Sequence, residues 1–458
     1  MAQEIELKKQ AQDEFFQTGS TLNYEFRRNM LLCFKEMIQK NEERIVEAIK
    51  ADFGKSYFES YATELMMIYD EVNYMLKNLK KLMKPKRVGT PLTHFYSKSK
   101  IFSEPFGSVL IISPWNYPFT LSFSPLVGAM AAGNCAMLKP SEISSHSSNL
   151  MKEMIEETFP EEYISVVEGE AETTQNLIKQ DFDYLFFTGS EQVGKEVMKT
   201  ASESLTPVTL ELGGKSPAIV SSDADLVKAA VRIAWGKTVN GGQTCIAPDY
   251  VLVHESVKNQ FILLVQEALQ KLYGNEPLTN DDFPSIINEK HFERVSNLMV
   301  DEEILYGGQI DTETRKIEPT VVNEPALDAD IMKEEIFGPL IPVISYESMD
   351  EAVEIIRDRE KPLSLYLFTE SKDLKDYIQK HVSFGGGVIN DTLIHFANTN
   401  LPFGGVGHSG MGRYKGKYGF ETFSHAKGMS EKTTLFDLPF RYPPYTKFKL
   451  KLMKWITR

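Results

Sequence analysis

Short apolar runs alternate with helical patterns along this chain, and that alternation limits the folds it can adopt. Four runs lie in the first half, separated by helical patterns such as SSNLMKEMIEETF. The runs are GSVLIIS (107–113), NCAMLKP (134–140), YISVVEG (163–169) and DYLFFTGS (183–190). Regular alternation of strand and helix is typical of a doubly wound parallel sheet with helices on both faces.

The same alternation restarts after Leu210 and predicts a second α/β lobe. Its apolar runs are SPAIV, DYVLVH, PTVV, PLIPVISY, LSLYLFT and GGVIN. A chain of 458 residues, 42% hydrophobic, is long enough for two such cores. We therefore predict an α/β fold with two doubly wound lobes. The first lobe covers 1–84, which is helical, and 105–210; the second covers 211–394. The segments 85–104 and 395–458 depart from the pattern.

The segment from Phe106 to Leu138 contains no charged residue and is long enough to cross a bilayer. It contains Pro114, Asn116, Pro118, Pro125 and Asn134. These residues would interrupt a spanning helix repeatedly, whereas a strand, a loop, a buried helix and a second strand accommodate them all. We predict that second arrangement.

Charge and cysteine usage exclude several classes of protein. A net charge of -14 argues against a nucleic-acid partner, which would require clustered Lys and Arg. The N-terminal segment MAQEIELKKQAQDEFF lacks the apolar core of a secretory signal, so we expect a cytoplasmic location. Cys33, Cys135 and Cys245 are widely spaced, which predicts neither disulfides nor a metal site.

Cys245 differs from the other two cysteines in its surroundings. It follows the sequence GGQT, and glycines allow a tight turn that leaves space beside the sulfur. Cys33 lies in an amphipathic helical pattern and Cys135 in an apolar run, so both are predicted to pack in the core. The local pattern leaves Cys245 as either a reactive thiol or a packed side chain.

Glu211 interrupts the apolar strand pattern of PVTLELGGKSP. A carboxylate is costly to bury without a partner, so it should face a cleft or act as a base. A structural ion pair is the alternative.

Two segments have features of a nucleotide site. In DYLFFTGSEQVGK, Gly189 and Ser190 join a strand to a helix that carries Gly194. Backbone amides at such a helix start can bind a pyrophosphate, although the GxGxxG fingerprint is absent and Ser190 could be an ordinary N-cap. In LKPSE, Lys139 and Glu142 follow a strand and could bind ribose hydroxyls or belong to a solvated loop.

Taken together, the motifs of the chain resemble those of the aldehyde dehydrogenases, in the family's order and over nearly the whole length. They are ISPWNYP (111–117), LKPSE (138–142), FTGS (187–190), ELGGKSP (211–217), GGQTC (241–245), EEIFGP (334–339) and LPFGGVGHSGMG (401–412). The short N-terminus and the ending DLPFRYPPY (437–445) are similar to the class 3 group of fatty and aromatic aldehyde dehydrogenases. His408 stands where that group more often has asparagine.

The resemblance implies NAD(P)-dependent oxidation of an aliphatic or aromatic aldehyde to the carboxylic acid, with water as acyl acceptor. Cys245 would be the nucleophile, forming a thiohemiacetal and then a thioester. The side-chain amide of Asn116 and the Cys245 N–H would bind the oxyanion, and Glu211 would activate water. Tyr117 would either line the substrate channel or pack behind it.

The resemblance also implies the cofactor contacts. Lys139 and Glu142 would meet the adenosine ribose, Gly189, Ser190 and Gly194 the pyrophosphate, and Glu335 and Phe337 the nicotinamide half. NAD or NADP would serve, with NAD favoured because Glu142 would repel a 2'-phosphate. The first lobe would then bind the cofactor and the second would be catalytic. The segments 85–104 and 395–458 would form a small oligomerisation arm of a homodimer.

Three other activities remain open at this stage. A CoA-acylating aldehyde dehydrogenase would pass the acyl group to CoA, a thiol esterase would need no redox cofactor, and a catalytically silent protein could bind ligands on the same fold. The tail KFKLKLMKWITR (447–458) interleaves Lys with apolar residues, which permits weak contact with a membrane surface. A helix end or subunit contact is the favoured interpretation of that tail.

Overall fold

The computed structural model describes residues 2–435, 437 and 441–457 of the chain. Residues 438–440 of the DLPFRYPPY motif and residue 458 of the basic tail lie outside the described residues. The α-helices are α1 (Ala2–Gln17), α2 (Tyr24–Lys40), α3 (Glu42–Phe53), α4 (Tyr57–Ser60), α5 (Met66–Leu82), α6 (Pro118–Ala132), α7 (Ser145–Thr158), α8 (Ala171–Ile178), α9 (Glu191–Ala201), α10 (Leu226–Thr238), α11 (Lys258–Tyr273), α12 (Glu289–Asn297), α13 (Asp330–Lys333), α14 (Met349–Arg357), α15 (Lys372–His381), α16 (Lys417–Thr422) and α17 (Lys447–Thr457).

The strands follow the apolar runs closely. They are β1 (Lys86–Val88), β2 (Ser97–Pro105), β3 (Ser108–Ile112), β4 (Cys135–Lys139), β5 (Ile164–Val166), β6 (Tyr184–Thr188), β7 (Val208–Glu211), β8 (Pro217–Val220), β9 (Tyr250–His254), β10 (Ile304–Tyr306), β11 (Ile310–Asp311), β12 (Lys316–Ile317), β13 (Thr320–Asn323), β14 (Leu340–Tyr346), β15 (Ser364–Phe368), β16 (Gly386–Ile389), β17 (Gly410–Met411) and β18 (Ser424–Lys432).

Two mainly parallel sheets confirm the predicted α/β fold with two doubly wound lobes. The first has the order β17-β7-β6-β3-β4-β5, in which only β17 is antiparallel. The second has the order β10-β13-β14-β9-β8-β15-β16, in which only β10 is antiparallel. The central strands of both sheets are short and buried because helices cover both faces, whereas the edge strands β10 and β16 are partly exposed.

A third sheet joins the two segments that depart from the alternating pattern. Its order is β1-β2-β18, and β2 pairs with β18 in one long antiparallel register from Ser97 to Pro105. These strands are polar and mostly exposed, so the apolar-run criterion does not detect them. The predicted lobe boundary between 210 and 211 falls inside β7.

The charge-free segment forms β3, α6 and β4, as its prolines and asparagines predict. Every residue of α6 is buried between the sheet and the N-terminal helices, with Pro118 in its first turn and Pro125 within it. Within the described residues, no helix combines the length and apolar character needed to span a bilayer.

Asn134, between α6 and β4, ties three parts of this core together. Its side chain accepts a hydrogen bond from Gly107 N (3.0 Å) and donates to Ala129 O (3.2 Å) and Phe423 O (2.9 Å). The residue is fully buried, so water cannot replace these bonds.

We expect Asn134→Ala to lower the free energy of unfolding by about 2–4 kcal/mol, because it leaves two buried backbone groups, Gly107 N and Phe423 O, without partners. Urea unfolding followed by circular dichroism would measure the change. Asn78→Ala is the matched control, since Asn78 makes one local bond to Tyr74 O. Equal effects of the two substitutions would contradict this role for Asn134.

Candidate active site

The site begins at the edge of the first sheet where the parallel strands β7, β6, β3 and β4 end. Neighbouring parallel strands bring their carboxyl ends to one edge, and ligands bind there in open α/β sheets. Glu211 ends β7, Gly189 follows β6, Asn116 lies just beyond β3, and Lys139 ends β4. The sheet thus collects four of the predicted site residues.

Cys245 reaches this edge on a tight loop from the second lobe. After α10 the backbone turns through left-handed residues at Asn240 (φ 56°) and Gly242 (φ 78°). A Cβ atom at Gly242 would overlap the carbonyl oxygen of Gly338, so glycine is required on both counts. The loop leaves the Cys245 side chain partly exposed and lining the cleft.

Side-chain amides join the Asn116 and Cys245 loops. Asn116 Nδ2 donates to Gln243 O at 3.0 Å, and Asn240 Nδ2 donates to Asn116 O at 2.9 Å and to Gln243 O at 3.1 Å. An amide nitrogen carries two hydrogens, so Asn116 retains one that can donate to an oxyanion.

The Cys245 thiol sits in a low-dielectric and negatively charged environment. Burial raises its pKa, and the carboxylates of Glu335 and Glu211 raise it further. Backbone N–H groups of Cys245 and Ile246 oppose that shift. A thiolate at this position therefore requires a base or a compensating positive charge.

Glu211 is the most isolated carboxyl group of the site. It is 2% exposed, and neither of its oxygens has a hydrogen-bond partner among the described residues. Burial raises its pKa well above the usual range for glutamate. A carboxylate with a raised pKa is a stronger base than an exposed one, as suits a general base.

One cleft of about 1270 Å³ holds most of the predicted residues. Its lining includes Asn116, Gly189, Ser190, Glu211, Cys245, Glu335 and Phe337. Gly194, Lys139, Glu142 and Tyr117 lie outside that lining. Trp115, His291, Arg294, Lys215 and residues 357–361 also line it, and the sequence analysis did not single these out.

The turn between β6 and α9 suits an anionic ligand. Ser190 caps the helix, with its hydroxyl accepting from Val193 N at 3.4 Å, and Thr188 Oγ1 is buried without a partner among the described residues. Gly194 allows α9 to pack closely, since a Cβ there would lie 2.7 Å from Leu212 Cδ2. The helix start therefore fits the pyrophosphate predicted for it.

An ion pair between Lys215 and Asp249 supports the backbone of the segment that carries Glu335 and Phe337. Lys215 Nζ donates to Glu334 O at 2.9 Å, and Asp249 accepts from Ile336 N at 2.9 Å. Phe337 adopts a left-handed backbone (φ 51°), a strain that such support maintains. Burial raises the pKa of Glu335 to about 8.

Lys139 and Glu142 form an ion pair of 2.7 Å beyond the cleft. The Lys139 side chain is 3% exposed and that of Glu142 41%. The Glu142 carboxylate is therefore accessible to a ligand, and its ion pair with the buried Lys139 fixes its position.

Tyr117 and His408 have different neighbours from those expected. The Tyr117 hydroxyl is hydrogen-bonded to Thr244 Oγ1 (2.6 Å), one residue before Cys245, and Tyr117 is not among the residues that line the cleft. His408 lines the cleft and contacts Glu191 of the first lobe (2.6 Å) and Glu360 of the second (3.3 Å). The histidine thus bridges both lobes, a contact that sequence spacing could not reveal.

Comparison with known proteins gives a consistent result. The model of the aldehyde dehydrogenase family matches residues 2–429. The chain is 48% identical over 452 residues to the 4,4'-diaponeurosporen-aldehyde dehydrogenase of Staphylococcus aureus, covering 98% of each. It is 43% identical over 444 residues to aldehyde dehydrogenase family 3 member H1 of Arabidopsis thaliana, covering 96% of this chain and 92% of the relative.

Solved structures agree with these relationships. A substrate-bound structure of Staphylococcus aureus AldH superposes with a TM-score of 0.97 at 48% identity, covering 99% of each chain. A Staphylococcus aureus betaine aldehyde dehydrogenase in complex with NAD+ superposes with a TM-score of 0.85 at 27% identity, covering 96% of this chain and 91% of the other. Both the motif resemblance and its class 3 character are confirmed.

We expect Glu211→Gln to raise the thermal midpoint of unfolding at pH 8 and to leave it nearly unchanged at pH 4. Below the pKa of glutamate in the unfolded chain, near ~4.3, Glu211 is protonated in both the folded and the unfolded state, so it contributes no ionisation cost to folding. Above that pH the raised pKa of the folded state makes ionisation of Glu211 unfavourable to folding. The wild type loses stability as pH rises toward the higher folded pKa, whereas glutamine does not titrate. Differential scanning fluorimetry at both pH values would measure this, with the exposed Glu313→Gln as control. A midpoint difference that is independent of pH would contradict it.

Proposed function

This chain belongs to the aldehyde dehydrogenase family and is an oxidoreductase; from that premise we propose that it oxidises aldehydes to carboxylic acids through covalent intermediates on Cys245. NAD or NADP is the cofactor, and water is the acyl acceptor. The observation that carries the proposal is the convergence of Cys245, Asn116 and Glu211 on one cleft that continues to the β6–α9 turn.

The first half of the reaction uses Cys245 and Asn116. The Cys245 thiolate attacks the aldehyde carbon, and the resulting oxyanion accepts hydrogen bonds from Asn116 Nδ2 and the Cys245 N–H. Loss of one such donor typically costs about 3 kcal/mol of transition-state stabilisation. A bound nicotinamide cofactor would supply the acceptor for the hydride released from the tetrahedral carbon, and loss of that hydride would convert the Cys245 adduct into a thioester.

The second half uses Glu211. Its buried carboxylate takes a proton from water, the hydroxide attacks the thioester, and the carboxylic acid leaves as the sulfur is released. Burial in an apolar cleft raises the pKa of Glu211, and this increases its strength as a base. Retention of this base favours water over CoA as the acyl acceptor.

The cofactor is held by groups at both ends of the cleft. Gly189, Ser190 and Gly194 receive the pyrophosphate at the start of α9, while Glu335 and Phe337 contact the nicotinamide half. Lys139 and Glu142 receive the adenosine ribose. NAD+ in the related betaine aldehyde dehydrogenase supports a nicotinamide cofactor, and the exposed Glu142 carboxylate favours NAD over NADP.

The substrate is an aliphatic or aromatic aldehyde with an apolar body. Support comes from exposed apolar side chains on segments that contact the Cys245 loop. They are Tyr57, Phe58, Tyr61, Trp235 and Ile394. The segment of Phe58 reaches the loop through Glu59 and Asn240, and α10 leads directly into it. Exposed apolar surface on segments beside the Cys245 loop favours an apolar ligand. The Staphylococcus aureus relative is named for its action on 4,4'-diaponeurosporen-aldehyde.

We extend the proposal to a homodimer in the cytoplasm. The arm that contains β1 and β2 exposes Val88, Leu92, Phe95 and Tyr96, which suits a subunit contact. The exposed helix α17 in the basic tail can contribute to the same contact. All three cysteines are unpaired, as expected in a reducing compartment.

We expect Cys245→Ala to abolish cofactor reduction, by more than about a thousandfold, because no other group can form the covalent intermediate. Absorbance at 340 nm with NAD or NADP and a panel of aldehydes measures the rate. Cys33→Ala, which removes a thiol from the helical core, should retain wild-type activity.

Three outcomes of that assay would replace the hydrolytic proposal. Reduction that requires added CoA would indicate an acylating enzyme. Hydrolysis of esters by Cys245 with no cofactor reduction on any aldehyde would indicate a thiol esterase. Neither activity in a folded protein would indicate a silent binding protein.

We expect Glu142→Ser to raise the ratio of kcat/KM for NADP to that for NAD by about fivefold. Removal of one negative charge near the 2'-phosphate relieves roughly 1 kcal/mol of repulsion in water. Glu156→Ser, an exposed glutamate on the neighbouring helix α7, is the control and should leave the ratio unchanged. An unchanged ratio in Glu142→Ser would place the ribose elsewhere.

A further inference from the structure

Three ionisable side chains outside the cleft lining pack against the catalytic loops. Lys55 and Glu64 are fully buried, and Glu59 is partly buried. Lys55 Nζ has no hydrogen-bond acceptor among the described residues and lies 4.7 Å from the ring centroid of Tyr117. A buried ammonium without direct partners is costly, so its position requires an explanation.

Each of the two carboxylates binds the backbone of one catalytic loop. Glu59 Oε1 accepts from Asn240 N at 2.7 Å, in the loop that leads to Cys245. Glu64 Oε2 accepts from Thr120 N at 2.7 Å, in the first turn of α6, just after Asn116. The two carboxylates thus hold the two loops that carry the proposed oxyanion donors.

Lys55 is the positive charge that both carboxylates share. The opposite charges of Glu64 and Glu59 are its principal stabilising neighbours, and the Tyr117 ring adds a cation–π contact. Tyr117 is itself hydrogen-bonded to Thr244, next to Cys245. The ammonium is therefore linked to the Cys245 loop through Glu59 and Tyr117, and to the Asn116 loop through Glu64.

We propose that Lys55 is a positioning residue for aldehyde oxidation: its ammonium keeps Glu59 and Glu64 ionised and in place, and these carboxylates fix the Asn116 and Cys245 loops at the separation that the oxyanion requires. This inference rests on the proposed function of the same site. Lys55 touches neither the cleft lining nor the reacting sulfur.

The charges around the cluster determine its pH dependence. Burial raises the pKa of Glu64 to about 7, while Lys55 lowers it and Asp52 raises it. Burial also raises the pKa of Glu59, with Lys55 opposing and Asp282 adding to the shift. Loss of Lys55 would raise both values further. The carboxylates would then be protonated near neutral pH, and a protonated carboxyl group is a weaker acceptor for an N–H.

The test compares Lys55→Met with Lys9→Met. Lys9 is a matched control because it is also buried, pairs with Asp13 (2.7 Å) and lies 5.4 Å from the Phe182 ring centroid, far from the loops. The readout is acylation of Cys245 by p-nitrophenyl acetate from pH 6 to 9 without cofactor, because this step needs the thiolate and the oxyanion donors but no hydride transfer. Ionisation of the thiol affects wild type and Lys9→Met alike, so the comparison with that control isolates the loops. Reduction of NAD with an aldehyde is measured in parallel.

We expect Lys55→Met to slow acylation at pH 7.5 by about tenfold to a hundredfold, the usual effect of misplaced catalytic groups. Its rate should recover at a higher pH than that of the wild type, whereas Lys9→Met should follow the wild-type profile. A Lys55→Met rate that matches Lys9→Met, or that falls by the same factor at every pH, would overturn the proposal.

Glu64→Gln tests the same idea if Lys55→Met does not fold. Glutamine keeps an acceptor oxygen for Thr120 N but cannot ionise. The variant should therefore match wild type at pH 6 and acylate more slowly at pH 8, and equal rates at both pH values would overturn the proposal. A wild type that acylates but reduces no cofactor would defeat the proposed oxidation and leave this test of the loops intact.

Discussion

Parallel pairing of β7, β6, β3 and β4 is the constraint on which the rest of the structure depends. Because these strands run in one direction, their last residues share an edge, and that edge places a buried carboxyl group, an amide and a helix start within one cleft. The second lobe adds the loop that carries Cys245, a strained segment, and lining side chains such as His291 and Arg294. The thiol arrives on the loop, and the side chains proposed for the nicotinamide arrive on the segment.

Burial then sets the chemistry of the groups that the edge collects. The same desolvation raises the pKa of the Cys245 thiol, of Glu211 and of Glu335. Three groups with raised pKa values, placed together, favour their protonated, neutral forms, because ionisation of one opposes ionisation of the others. The arrangement favours proton exchange within the cleft over fixed charge, which suits a reaction that alternates between attack by sulfur and attack by water.

Much of this architecture could be predicted from the sequence, and the exceptions have physical reasons. The core strands are predictable because each is a short apolar run, and the proposed site residues follow from the family resemblance of their motifs. The strands β1, β2 and β18 were missed because their residues are polar and exposed. The roles of Asn134, Lys55 and His408 depend on partners distant in sequence, such as Phe423, Glu64 and Glu191, and no local pattern encodes those contacts.

Gly242 links the two parts of the second lobe that meet at the cleft. A side chain there would strike the carbonyl oxygen of Gly338, one residue beyond Phe337, so the thiol loop and the strained segment are in backbone contact. The two segments consequently cannot diversify independently. Any change that moves one must be matched by the other, so substitutions at this point of the cleft are constrained to occur in both segments together.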